Sequence, residues 1–182
     1  MNQEIKDIFQ VSAWSVATIG GLIAAFRAIL EMRRNREQRQ EELRWQRAQE
    51  AKKILDELSE DTYAKNAMRM LDWSGRKYQI KDKRWELITI DDVLEGLRVE
   101  DLVFTDKEAF IRDCFDRFFE KLDYIQHLIS IKLINFSDIC DPIDYYANLM
   151  STHKKTFHDF LTFYEYEGTL ELLDRFDEWI RA

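Results

Sequence analysis

The sequence predicts a mainly α protein: an N-terminal transmembrane helix continuing into a charged stalk, then a cytoplasmic helical bundle with one small β-hairpin. Three observations carry this. The 182 residues include one proline, Pro142, and five glycines, so few points interrupt a helix. Residues 8–26 form a 19-residue run without a charged side chain. Further along, apolar residues recur at helical spacing for most of the remaining chain. Hydrophobic residues make up 46% and charged ones 34%, a balance that suits a folded helical protein rather than a disordered one.

The uncharged run reads IFQVSAWSVATIGGLIAAF, with Gln10 its one strongly polar residue. A helix rises about 1.5 Å per residue, so such a run spans roughly the 30 Å of bilayer hydrocarbon. A cleaved signal peptide wants positive charge before the apolar run. Here Glu4, Lys6 and Asp7 precede it, and the positive charge follows as Arg27, Arg33, Arg34, Arg36 and Arg39 against Glu31 and Glu37. The positive-inside rule then places the C-terminal side in the cytoplasm, with the short N-terminus facing the periplasm or exterior. Ala13, Ala17, Gly21 and Ala25 recur every four residues along the run, and Gly20 and Ala24 flank them. A stripe of small side chains lets helices approach closely in lipid, so self-association into a homo-oligomer is expected through this face. The expected divisions are residues 1–30 for the membrane segment, 31–58 for the stalk and 59–182 for the cytoplasmic domain.

From Ala28 to Leu58 there is neither glycine nor proline, and Arg, Glu, Gln and Leu dominate. Pairs such as Arg33–Glu37 and Glu41–Arg44 give a solvated helix, each pair contributing about 0.2–0.5 kcal/mol. Apolar positions become regular only at Ala51, Ile54, Leu55 and Leu58, so this helix should pack at its end. Asp61 reads as the N-cap of a second helix through Trp73, stopped by Gly75. The runs 78–80 and 85–90 flank the charged turn 81–84 and predict a hairpin, which must pack on helices because two strands alone are marginal. Thr105 and Glu108 form a capping box that opens the strongest helix, to about Ile134. Its inward face is Ile111, Phe115, Phe118, Leu122, Ile125 and Ile129. Asn135 should end it and Ser137 or Asp138 cap the next. Helices near 138–151, 154–166 and 169–181 complete the bundle, with Gly168 separating the last two.

Net charge is −8, unevenly spread: +3 over residues 1–90 and −11 over 91–182. A domain so negative repels nucleic-acid phosphates, and no nucleic acid is expected as a partner. Cys114 and Cys140 sit among apolar neighbours and are expected as buried free thiols. His153 and His158 are five apart, too far round a helix for a shared metal. Asp138, Asp141 and Asp144 read as carboxylates favouring a helix N-terminus. No Gly-rich phosphate loop, GxSxG or HExxH occurs, so no catalytic residue, metal or cofactor is expected and the chain does not read as an enzyme. Aromatic residues crowd 145–166. Most should be core, and Tyr145, Tyr146, Phe160 and Tyr164 are the candidate lining of a groove for a protein partner.

The order of features resembles a group of uncharacterised bacterial single-pass membrane proteins that share a cytoplasmic helical domain of unknown function. It is carried by the lone apolar segment, the Arg/Glu stalk, NAMRMLDWSGRKY (66–78), FTDKEAFIRDCFDRFFEKLDYIQHLISIKLI (104–134) and DYYANLMSTHKKTFHDFLTFY (144–164). The likeness is one of architecture and apolar pattern over most of the chain. Some bacterial phage-defence proteins share the layout, so the resemblance implies a bacterial inner-membrane location and a defence role; it carries over no catalytic residues.

Overall fold

The computed structural model describes residues 3–73, 75–81 and 84–181, with the backbone alone for 3–25, 28, 29, 180 and 181. Among the described residues there are seven α-helices and one antiparallel two-stranded hairpin. The elements are α1 (Gln3–Glu60), α2 (Thr62–Asp72), β1 (Gly75–Gln79), β2 (Trp85–Thr89), α3 (Ile90–Gly96), α4 (Asp106–Ser130), α5 (Cys140–Ser151), α6 (Lys154–Phe163) and α7 (Glu167–Arg181), with a 3-10 turn at Phe136–Asp138. The chain divides into two units, Met1–Gln46 and Arg47–Ala182, and each is described by itself.

The first unit is helical and, from Leu30 to Gln46, exposed throughout. No helix among the described residues is long and apolar enough to cross a membrane. The side chains of the expected span, including Ala13, Ala17, Gly21 and Ala25, lie outside the described residues.

The second unit holds the core. It opens on the last turns of α1, where Ala51, Ile54 and Leu58 are buried and Leu55 is half-buried, the positions whose spacing predicts packing. Asp61 then caps α2, its carboxylate accepting from Tyr63 N and Ala64 N at 3.0 and 3.1 Å. The helix stops at Asp72. Gly75 enters the hairpin as its first residue, opposite Thr89, rather than closing the helix. Pairing places Tyr78 and Ile88 inward and leaves Lys77, Gln79, Trp85 and Leu87 exposed.

One helix goes beyond the sequence reading. Ile90 ends no strand; it begins α3, capped by Thr89 in a reciprocal box with Asp92. The short helix closes against α4, and Gly96 lies so near Ile111 that an added Cβ would stand 3.1 Å from it.

Helix α4 is the axis of the core. Its capping box forms as expected: Thr105 Oγ1 accepts from Glu108 N, and Glu108 accepts from Thr105 N at 2.7 Å. Ile111, Phe115, Phe118, Leu122, Ile125 and Ile129 are all buried. The helix ends at Ser130, short of the expected Ile134. Lys132 turns left-handed (φ 62°), and Leu133 N donates to Leu128 O while Lys132 N donates to Ile129 O. Those two bonds satisfy the last carbonyls in a Schellman arrangement, ordinarily completed by glycine. Helix α6 closes the same way, with Glu165 left-handed (φ 59°), Tyr166 N on Leu161 O and Glu165 N on Thr162 O.

Two expected caps are placed differently. Asp138 accepts from Asn135 N and Nδ2 within the 3-10 turn, so α5 begins at Cys140 with no side-chain cap. Gly168 does not separate α6 from α7; it lies in the first turn of α7. There Asp123 of α4 reaches across and accepts from Thr169 N at 2.9 Å. A Cβ on residue 168 would stand 2.7 Å from that carboxylate, so glycine leaves room for a cap supplied by another helix.

The carboxylates at these helix starts set the pH dependence. The Thr105 N–H holds the Glu108 carboxyl below its usual range, with Arg98 assisting. Burial pushes Asp61 and Asp92 upward, but it is outweighed by Arg117 and Ala64 at the first and by Lys107 and Thr89 at the second. Groups with depressed folded values stabilise the protein above their unfolded pKa, and this is lost as pH falls through the folded value. Asp116 is raised by burial and acts in the opposite sense. Glu171, held low by the side chains of Gln126 and Arg175, makes four groups against one, which predicts a melting temperature that holds near neutrality and falls below about pH 4, the ordinary carboxylate range. Thermal melts across this range check it, and Glu108→Gln should flatten the fall.

Candidate functional site

The aromatic residues singled out by the sequence do not line one groove. Tyr145 and Tyr146 of α5 stack edge-on at 5.3 Å, and Tyr146 reaches Phe118 at 6.4 Å. Phe160 and Tyr164 meet at 4.8 Å at the other end of a chain of rings that runs through Phe118 and Phe119. Phe160 has no exposed surface and is a core residue, which corrects its place in a partner groove. The reason is rotational: 160 faces α4 with 157 and 161, while Phe163 is half exposed. Tyr145 stays exposed, its hydroxyl donating to Asp72 of α2, a hydrogen bond that pushes its own pKa up.

Tyr164 leads to an arrangement that the sequence did not disclose. Its hydroxyl accepts from Arg112, a buried guanidinium on α4. Arg112 Nη1 donates to Gly96 O at 2.8 Å and Arg98 O at 3.1 Å, the carbonyls where α3 ends. The rings of Phe104, Phe160 and Tyr164 lie 4.2, 5.0 and 5.1 Å from its Cζ. Its charge acts at a distance on the half-buried Asp116, one turn further along α4, and its direct contacts are carbonyls, a hydroxyl and rings. Carbonyl dipoles and aromatic faces therefore carry a buried cation, a role that suits the flat, weakly hydrated guanidinium. Arg98 extends the cluster. It stacks on Phe104 at 4.9 Å, pairs with Glu108, and donates to Val103 O at 2.8 Å and Asp101 O at 3.2 Å. Two arginines thus hold the 97–105 loop, bringing Leu102 and Val103 to an exposed tip. The only local signal for this was an arginine at 112 directly after an inward-facing Ile111.

A cleft between α5, α6 and α7 is lined by Met150, Phe157, Leu161 and Leu173, with Lys154 and Asp177 paired at 2.7 Å on its rim. Its volume of about 40 Å³ admits about two or three waters and falls far short of a cofactor site. His158 lines this cleft, whereas His153 lies at the start of α6. Among the described residues no group of His, Cys, Asp and Glu is arranged to hold a metal ion. Cys114 and Cys140 are buried free thiols, both pushed upward by burial and so held in the unreactive protonated form. Tyr78 is likewise pushed up to about 12 by burial, with its hydroxyl unpartnered beneath the hairpin. In the first unit, Arg27, Arg33, Arg34, Arg36 and Arg39 are all exposed on α1.

Compared with known protein families, with curated proteins and with solved structures, the chain matches none.

Proposed function

We propose that this chain is a membrane-anchored, non-enzymatic homo-oligomer whose helical domain binds a protein partner or signal in the bacterial cytoplasm. The observation that carries the reading is the uncharged run 8–26 followed, over residues 27–39, by five arginines against two glutamates. Such a run is long enough to span hydrocarbon, and the arginines orient it with residues 31–182 inside. Support for a binding rather than a catalytic role comes from the second unit. There Tyr145, Phe163 and Trp179 keep about half of their surface exposed and available for contact.

The protein should fractionate with membranes and resist extraction by alkaline carbonate, and a cytoplasm-dependent reporter fused after Ala182 should be active. Protein left in the supernatant of a high-speed spin would overturn the anchor. Gly21→Leu should insert normally yet crosslink less than the off-stripe control Ile23→Leu, because bulk at the closest approach separates helices and lipid gives no hydrophobic return. Equal crosslinking of the two would remove the small-residue face as the interface.

A second reading, an anti-phage defence effector at the inner membrane, is favoured by the layout of the chain. It predicts toxicity on overexpression that vanishes when residues 8–26 are deleted.

A further inference from the structure

We propose that the outward face of the β-hairpin is a contact site for an anionic lipid bilayer. The proposal rests on the anchored topology above and names a surface that the tethered domain would bring to the membrane.

A two-stranded sheet has two faces, and the core covers one. The register sets Lys77 opposite Leu87 and Gln79 opposite Trp85, on the side away from buried Tyr78 and Ile88. Trp85 is 62% exposed, Leu87 52%, and Trp73, just before β1, 52%. Arg76 lies over the Trp73 ring at 5.3 Å. Trp85 and Leu87 are thus exposed apolar side chains on the outward face of β2, with the exposed indole of Trp73 at the entry to β1, and exposed large apolar groups of this kind mark contact surfaces.

Charge decides among the occupants. From 75 to 89 the chain carries Arg76, Lys77, Lys81, Lys83 and Arg84 against Asp82 and Glu86, a net of +3 from five minus two. Asp106 reaches Lys81 and Arg84, each at 3.4 Å, which lowers the local excess to +2. Residues 91–182 carry −11, so the hairpin is a positive island on a negative domain. A second copy docked hairpin to hairpin would set like charges together. A surface of anionic headgroups attracts such a patch, and tryptophan flanked by Lys and Arg is the side-chain composition of a membrane–water interface.

The test uses the full chain in nanodiscs of phosphatidylcholine alone or mixed with phosphatidylglycerol. A nitroxide is placed on the outward face through Gln79→Cys, with exposed Ser151→Cys as the control; the native thiols are buried. Relaxation by oxygen, which concentrates in lipid, is compared with relaxation by a water-soluble nickel chelate. The expected oxygen-to-nickel ratio at 79 is several-fold higher in anionic than in neutral discs, and several-fold higher than at 151. It should fall toward the control in high salt and in Lys77→Glu/Trp85→Ser, whose helical circular dichroism is recorded alongside. A water-like ratio at 79 in anionic discs overturns the proposal. So does shielding from both relaxants, which signals protein cover such as an acidic partner or a second copy. A carbonate wash reads the anchor separately. Chain lost in the wash overturns the anchored reading, whereas retained chain with a water-exposed hairpin overturns the docking alone.

Discussion

Phe119→Ala should cost about 3–5 kcal/mol of folding stability, the range for removing a fully buried ring and leaving a cavity. Phe119 is the ring on which the helices of the second unit converge. It lies 5.7 Å from Phe115 and 5.8 Å from Phe118 on its own helix, 6.4 and 5.8 Å from Phe157 and Phe160 of α6, and 5.7 Å from Tyr166. Truncation therefore strips contacts from two helices and the turn beyond α6 at once, and interiors packed this densely relax only partly. Denaturant unfolding of residues 47–182 measures the loss. Tyr124→Ala, half exposed on the same helix, should change stability by less than about 0.5 kcal/mol. Near-equal effects of the two would mean that α4 is rotated from the face described here.

Arg112→Ala should cost about 2–4 kcal/mol, through stranded acceptors rather than through a lost ion pair. The substitution leaves the carbonyls of Gly96 and Arg98 without their donor and empties the space between Phe104, Phe160 and Tyr164. Arg112→Lys keeps the charge but loses the two-pronged geometry and the flat face, so it should recover only part of the stability. The distinguishing readout is local. Amide exchange should accelerate first in 97–105, the loop held by the two arginines, before the centre of α4 responds. Uniform acceleration across the unit would show that Arg112 acts as generic core volume.

What the sequence disclosed and what it hid follow the range of the interactions. The start of α4 was legible because Thr105 and Glu108 complete their hydrogen bonds within one turn, and its inward face because side chains three and four apart share a side. The packed end of α1 was legible for the same reason, at Ala51, Ile54 and Leu58. Helix α3 was hidden because Ile90 continues an alternating apolar run and its box closes on aspartate, Asp92, rather than glutamate. The ends of α4 and α6 were hidden because Lys132 and Glu165, neither a glycine, take left-handed conformations. Arg112 and Asp123 were hidden for a different reason: their partners lie 14 to 52 residues away along the chain. Tyr145 and Phe160 were placed in one groove by their closeness in sequence, yet helix rotation sends them to different neighbours.

The cap on α7 bears on how the chain is made. Asp123 leaves the ribosome well before Thr169, so the acceptor that starts the last described helix already exists when that helix emerges, held on a different element. Until then the side of α4 that α7 covers lacks its partner, and buried Thr169 cannot yet reach Phe119 O. A nascent chain halted between α6 and α7 would therefore show an unfinished aromatic surface to chaperones and proteases, and become protease-resistant in one step once the first turn of α7 docks.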